Sequence, residues 1–380
     1  MIYFDNSATT KPYKEVLQTY VTVSEQFFGN PSSLHKLGGQ SEQLLEQARQ
    51  QIANLIGIHS SEIIFTSGGT EGNNLAIKGT AMQHRNRGRH MITTEIEHPS
   101  IYEAYKQLEQ LGFEVTYLTP DENGFISAQQ VKNAMRDDTI LVSLIHVNNE
   151  TGTIQPIKEI GEFLAKFPKT YFHVDHVQGI GKVPLNLKDS HIDLCSFSGH
   201  KFHSVKGTGF LYVKKGVTLS SILTGGSQEQ EIRSGTENLA GIVAMAKALR
   251  MTLEKQSQMK SHLLELREQI MNNLHQIDKA IINSPSYNFA PHIMNVSFVG
   301  LKPEVIVHAL ADKGVFISTK SACSSKSSDV SRVLQVMGKS DQVAGSAIRI
   351  SLSYENTMDE VEKFNNIINE VIAKLYKVTR

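Results

Sequence analysis

Several groups able to do chemistry stand just past short apolar runs of this 380-residue chain. Lys201 follows "DLCSFS" (193–198), with Ser198 and His200 close by. Burial lowers the pKa of a lysine and turns it into an amine nucleophile. Asp175 follows "YFHV" (171–174), and Gln178 comes three positions later. A carboxylate there either caps the strand or keeps a charge for a cationic ligand. His98 follows "HMITT" (90–94) at an expected helix start. "SGGT" (67–70) follows "EIIF" (62–65). Its glycines let the backbone approach a ligand, Thr70 adds a hydroxyl, and a fresh helix N-terminus completes a cradle for an anion. Taken singly, these are a solvated lysine, a cap, a structural histidine and a tight turn. Taken together on one sheet edge, they are what pyridoxal phosphate requires. A lysine holds the aldehyde, a carboxylate keeps the pyridine nitrogen protonated, a cradle takes the phosphate, and a flat ring stacks on the cofactor face. One further group lies apart. Cys323 falls in "TKSACSSKSSDVS" (319–331), a polar Ser-rich run with two lysines, and is one of only two cysteines.

The elements that must position these groups follow from hydrophobic periodicity. From about 15 to 215, helix-period segments alternate with strand-like runs. "LLEQARQQIANLIG" carries Leu45, Ala48, Ile52 and Leu55 at helical spacing and stops at Gly57. The strand candidates are "EIIF", "HMITT", "EVTYL" (114–118), "ILVSLI" (140–145), "YFHV", "DLCSFS" and "GFLYV" (209–213). Near-continuous apolar runs fit strands covered on both faces, and intervening helices imply a largely parallel sheet. Ligands of such sheets bind outside the carboxyl ends of the strands, where the groups above fall. After about 250 the pattern changes to one long amphipathic helix (Met259, Leu263, Leu266, Ile270, Leu274, Ile277), then "IMNVSF" (293–298), a helix from about 302, and "AIRISLS" (347–353). A last helix opens on the capping box Thr357-x-x-Glu360 and carries Val361, Phe364, Ile368, Ile372 and Leu375. The expected architecture is α/β. A large domain (15–255) holds a mostly parallel mixed sheet flanked by helices. A smaller α+β domain (1–14 and 256–380) carries the cysteine segment.

Composition narrows the function classes. Lys+Arg and Asp+Glu both number 38, so the formal charge is zero, which argues against direct nucleic-acid or membrane partners. No apolar run approaches the roughly 18–20 residues of a membrane span. "MIYFDNSATTKPY" has neither basic nor apolar signal-peptide regions, and two cysteines cannot form a disulfide framework, so the expected compartment is the cytoplasm. Cys195, inside an apolar strand, reads as a core filler.

The chain resembles fold-type I pyridoxal-phosphate enzymes and, more narrowly, the NifS/IscS-like cysteine desulfurases. The resemblance spans nearly the whole sequence. It is carried by "YFDNSATT" (3–10), "FGNPSSLH" (28–35), "FTSGGTEGNN" (65–74), "EHPS" (97–100), "HVNNETG" (146–152), "HVDHVQ" (173–178), "SFSGHK" (196–201), "RSGTEN" (233–238), "SACSS" (321–325) and "IRISLS" (348–353). It implies that Lys201 carries the cofactor, that Asp175 partners the pyridine nitrogen and that Gln178 bonds the ring hydroxyl. His98 stacks on the ring and helps move protons. Gly69, Thr70, Ser198 and His200 hold the phosphate, joined by Thr236 from the other subunit of a homodimer. Asn149 and Arg349 clamp the substrate carboxylate, a task suited to the planar guanidinium fork. No metal is required.

The resemblance also explains the polar thiol. In such enzymes a second nucleophile takes sulfur from the substrate, L-cysteine. Cys323 attacks that sulfur as a thiolate and becomes a persulfide, while L-alanine leaves. A Ser-rich segment suits a group that collects sulfur in the cleft and delivers it outside. The long Ser/Lys-rich run matches the subgroup that hands sulfur to several acceptors, namely iron–sulfur scaffold proteins and tRNA-thiolating or thiamine sulfurtransferases. The absence of an extended tail after the last helix favours a dedicated acceptor over a scaffold. The chain departs from the family at His176, where Ala is usual, at Ser204-Val205, where many relatives have Gly-Pro, and at Lys320, where Gly is common. Two other readings share part of this equipment. One is a fold-type I aminotransferase or amino-acid lyase, which would not require Cys323. The other is a non-catalytic fold relative.

Overall fold

Short apolar runs separated by helices form strands here because helices cover both faces of the sheet they build. The computed structural model describes residues 1–259, 261–319 and 330–378. Its strands are β1 (Ile2–Tyr3), β2 (Ile63–Thr66), β3 (His90–Thr94), β4 (Glu114–Leu118), β5 (Thr139–Ile145), β6 (Tyr171–Asp175), β7 (Leu194–Ser198), β8 (Gly209–Val213), β9 (Ala280–Ile282), β10 (Ile293–Phe298), β11 (Val315–Phe316) and β12 (Ala347–Ser351). The helices are α1 (Lys14–Gln26), α2 (Lys36–Ile56), α3 (Gly69–His84), α4 (Pro99–Gln110), α5 (Ala128–Ala134), α6 (Ile157–Leu164), α7 (Leu239–Gln258), α8 (His262–Leu274), α9 (Pro303–Ala311), α10 (Arg332–Val336), α11 (Asp341–Ala344) and α12 (Met358–Val378).

Seven strands form the main sheet in the order β2-β8-β7-β6-β5-β3-β4. Strands β4, β3, β5, β6 and β7 are parallel neighbours. β8 runs antiparallel to both β7 and β2. β2 therefore points the same way as β7, and the loops after β2, β3, β5, β6 and β7 open on one edge. Side chains alternate between the two faces. Phe210 and Tyr212 of β8 join one core with Ile242, Met245 and Leu249 of α7. Leu211 and Val213 join the opposite core with Leu75 and Ile77 of α3 and with Tyr105 of α4.

β10 is the centre of a second, antiparallel sheet between β12 and β9. Its core takes apolar residues of α8, α9 and α12, together with Ile2 and Phe4 from the chain start. The capping box of α12 is present, with Thr357 N–H donating to Glu360 and Glu360 N–H to the Thr357 hydroxyl. The helix expected through Met259 and Ile277 is shorter, α8 running only from His262 to Leu274, because α7 ends at Gln258 and the backbone of Met259 leaves helical geometry (φ −119°, ψ 45°). This turn lets α7 pack on the first core and α8 on the second. Among the described residues no helix is long and apolar enough to cross a membrane.

Two tertiary devices bear on the site. Residues 5–10 run from the small sheet to the main sheet edge. Asp5 bridges to Ser351, and Thr10 donates its N–H to the His200 carbonyl at 2.8 Å. The second device is a buried clamp. Glu229, Gln230 and Glu231 are all left-handed (φ 46°, 58° and 63°), a conformation costing about 1–2 kcal/mol per residue. Glu229 offsets that cost by accepting from both Arg49 Nη atoms (2.9 and 2.8 Å) and from Phe65 N–H (2.7 Å). Removing one partner of a buried pair strands the other charge. Glu229→Ala is expected to lower the unfolding free energy by about 3–5 kcal/mol in urea titration.

Candidate active site

The loops at the common sheet edge converge on a cavity of about 230 Å³. Its lining includes Gly69, Thr70, His98, Asn149, Asp175, Gln178, Ser198, His200, Lys201 and Arg349. Asp175 and Ser198 are the last residues of β6 and β7, the seven others before Arg349 come from loops or helix starts that follow strands, and Arg349 comes from β12 of the second sheet. Thr236 does not reach this cavity. It lines a neighbouring hollow with Ser67, Thr208 and Arg233. Cys323, Lys320 and Lys326 lie outside the described residues. Cys195 is fully buried, and burial pushes its thiol well above the usual range.

Asp175 ends β6, is almost wholly buried, and takes only neutral hydrogen-bond donors. Oδ1 accepts from Val177 N–H and Oδ2 from Asn73 Nδ2, each at 2.9 Å. Burial pushes its pKa up, while those two donors and the charge of Lys201 hold it down. Lys201 lies in a 3₁₀ turn after β7. Its Nζ donates to the carbonyls of Ser7 (2.5 Å) and Ala8 (2.9 Å). Gln178 Nε2 donates to the same Ser7 carbonyl at 3.0 Å. Arg349 is 1% exposed. Its Nη1 donates to the Asn149 carbonyl at 2.8 Å and its Nη2 to Asp5 at 3.2 Å, whereas Nε is buried without a partner among the described residues. Asp5 also accepts from the Ser318 hydroxyl.

The histidines of the site are neutral. Burial, with Lys201 and Arg349 nearby, pushes His98 down to about 4. Burial and Lys201 push His200 down to about 3. His176 does not line the cavity. Its Nδ1 lies 2.8 Å from His146 Nδ1 and its ring meets Phe197 edge-on, so here the imidazole fills space.

The residues fit pyridoxal phosphate by two independent observations. The N-terminus of α3, at Gly69 and Thr70, lines the cavity beside Ser198 and His200, and a Cβ at Gly69 would meet Val177 Cγ2 at 2.8 Å, so a glycine is what lets this anion-binding helix start sit so close to the loop after β6. A buried carboxylate with neutral donors alone suits a cationic ring nitrogen. Sequence reasoning did not single out Ser7, Ala8 or Asp5, although "YFDNSATT" contains all three. It also gave no role to Asn73, Ser100 or Glu97, whose contacts are side-chain bonds within the fold and leave no period in the sequence.

Glu97 sits beneath His98, fully buried. Its Oε1 accepts from the Thr94 hydroxyl (2.7 Å) and Ile145 N–H (3.0 Å). Burial, reinforced by Asp175, raises its pKa to about 8. The folded state therefore holds a proton that the unfolded chain releases, and this contribution is lost as pH rises from about 4.5 to 8. Urea denaturation across that window should show the wild type losing stability relative to Glu97→Gln as pH rises. Parallel curves would refute the assignment.

The chain matches the family model for class-V aminotransferases over residues 2–364. It is 46% identical to a NifS/IcsS protein homolog of Lactobacillus delbrueckii subsp. bulgaricus, over 100% of this chain and 99% of the relative. It is 43% identical to a cysteine desulfurase IscS of Methanosarcina thermophila, over 98% of this chain and 92% of the relative. A solved NifS-like protein superposes with a TM-score of 0.93 at 37% identity, covering 98% of this chain and 100% of that one. With its mixed α/β sheet and this edge cavity, the chain belongs to the class-V aminotransferase family, in its NifS/IscS-like group.

Proposed function

We propose that the protein is a pyridoxal-phosphate-dependent cysteine desulfurase that converts L-cysteine to L-alanine and carries the sulfur as a persulfide on Cys323. Its strongest support is the meeting of Lys201, Asp175 and Arg349 in one cavity. Relatives that bear the cysteine desulfurase name over nearly their whole length add to it. Residues 15–255 act as the cofactor domain, and residues 1–14 with 256–380 as the smaller domain.

Lys201 would hold the cofactor aldehyde and Asp175 its ring nitrogen. Gln178 would bond the ring hydroxyl, and His98 and Asn149 would lie against the ring. Gly69, Thr70, Ser198 and His200 would take the phosphate, joined by Thr236 of the partner subunit in a homodimer. When bound, pyridoxal phosphate supplies an electron-accepting ring that weakens the bonds around the substrate Cα. Arg349 and Asn149 orient the substrate carboxylate, and the unpartnered Arg349 Nε offers a further N–H to it. The Lys201 amine moves the Cα proton. The Cys323 thiolate attacks the substrate sulfur, an S–S bond forms and the Cβ–S bond breaks. The electron pair stays with the carbon skeleton, which takes up a proton and leaves as alanine. In the cytoplasm a thiolate of an acceptor protein, either an iron–sulfur scaffold or a tRNA or thiamine sulfurtransferase, then takes the outer sulfur of the persulfide, and Cys323 leaves as its thiolate.

Three measurements check these roles. Cys323→Ala should keep the cofactor colour and bind cysteine, while sulfide release falls by about a thousandfold or more. Retained sulfide release would point to an aminotransferase or lyase. Borohydride should fix the cofactor on Lys201, and a colourless protein that cannot be reconstituted would indicate a non-catalytic relative. Arg349→Ala should lower kcat/KM for cysteine by about 30-fold or more, because a desolvated charge pair is lost. An unchanged value would remove Arg349 from substrate binding.

A further inference from the structure

Asp175 and His98 stand at the ends of different strands, yet a chain of side chains joins them. Asn73 Nδ2 lies 2.9 Å from Asp175 Oδ2 and 2.9 Å from Ser100 Oγ. Ser100 Oγ lies 2.8 Å from His98 Nδ1, and Ser100 N–H donates to that same nitrogen at 3.2 Å. Asn73 and Ser100 are both buried.

Chemistry fixes the direction of every bond in this chain. An asparagine facing a carboxylate presents its NH₂, because an amide oxygen there would be repelled. Both Nδ2 hydrogens are then committed, one to Asp175 and one to Ser100. The Ser100 oxygen accepts, so its own hydrogen turns to His98 Nδ1. That nitrogen receives a second donor from the Ser100 main chain. A neutral imidazole that accepts at Nδ1 carries its proton on Nε2.

We propose that Asn73 and Ser100 are positioning residues that relay the Asp175 carboxylate to His98 and lock the imidazole with its proton on Nε2. The role in turnover rests on the desulfurase reading. There His98 meets the substrate as a hydrogen-bond donor to an anionic group, the thiolate or carboxylate, and leaves the Cα proton to Lys201. Among the described residues the charged groups facing His98 are Lys201 and Arg349, which both oppose a cationic imidazole. Asp175 acts on it through Asn73, and the Glu97 carboxyl is turned to Thr94 and Ile145. His98 therefore stays neutral at physiological pH.

The test is nitrogen NMR of the holoenzyme labelled with ¹⁵N-histidine, with His98 assigned by the signal lost in His98→Gln. The wild type should show a pyrrole-type Nε2 and a pyridine-type Nδ1. Ser100→Ala removes a donor to the neutral form, so the His98 titration midpoint should rise by about one pH unit and the tautomers should mix. Ser100→Thr restores the hydroxyl and should restore both signals. Asn73→Ala frees the Ser100 hydroxyl and should shift the signals in the same direction as Ser100→Ala. A proton on Nδ1 in the wild type, or spectra of Ser100→Ala identical to wild type, would overturn the proposal. Absence of alanine and sulfide from cysteine would instead remove the desulfurase reading and leave the tautomer result standing.

Discussion

A buried carboxylate at the end of a largely buried strand is the constraint on which the rest of the site depends. Desolvating such a charge costs several kcal/mol unless something repays it. At Asp175 the neighbours are a main-chain N–H and the Asn73 amide, which hold the carboxylate in place without neutralising it. The charge of Lys201 offsets part of that cost, and the protonated pyridine nitrogen of the proposed cofactor would offset more. The other groups then fall into order around that point: the Lys201 amine from the turn after β7, the imidazole of His98 from the loop after β3, and the α3 N-terminus at Gly69.

The two cores cooperate through the chain start. Phe4 packs in the small-sheet core, and a few residues later the Ser7 and Ala8 carbonyls hold the Lys201 amine. Between them, Asp5 contacts both Arg349 and Ser318. One short segment thus fixes the lysine against the main sheet and the arginine against the second sheet. The separation of amine and guanidinium is set within one segment, by two backbone carbonyls on one side and the Asp5 carboxylate on the other, an arrangement suited to holding a small ligand in register.

Charge around the cavity is predominantly positive. Lys182, buried and pushed down to about 8 by desolvation, donates to the Lys201 carbonyl at 2.6 Å. The nearby imidazoles of His98, His146, His176 and His200 are all pushed down, burial being the largest cause. Low dielectric keeps these rings neutral, so the positive field comes from Lys201, Arg349 and Lys182. Such a field would favour the anionic phosphate and the substrate carboxylate of the proposed reaction.

The sequence alone specified the strands of the main sheet and the groups that follow them. Near-continuous apolar runs and helix period are local signals, and a residue directly after a buried parallel strand must emerge at the ligand-binding edge. That logic found Asp175, Lys201, His98 and the "SGGT" turn, and residue type alone singled out Cys323. What the tertiary structure decided were contacts between distant segments. The Lys201 amine meets carbonyls some 190 positions earlier in the chain, and peptide carbonyls carry no sequence signature. Asn73 and Ser100 could each have been an ordinary helix residue or cap until folding set them between Asp175 and His98. The break between α7 and α8 was likewise decided by packing, because two cores compete for one apolar stripe and periodicity cannot say where a chain passes from one to the other.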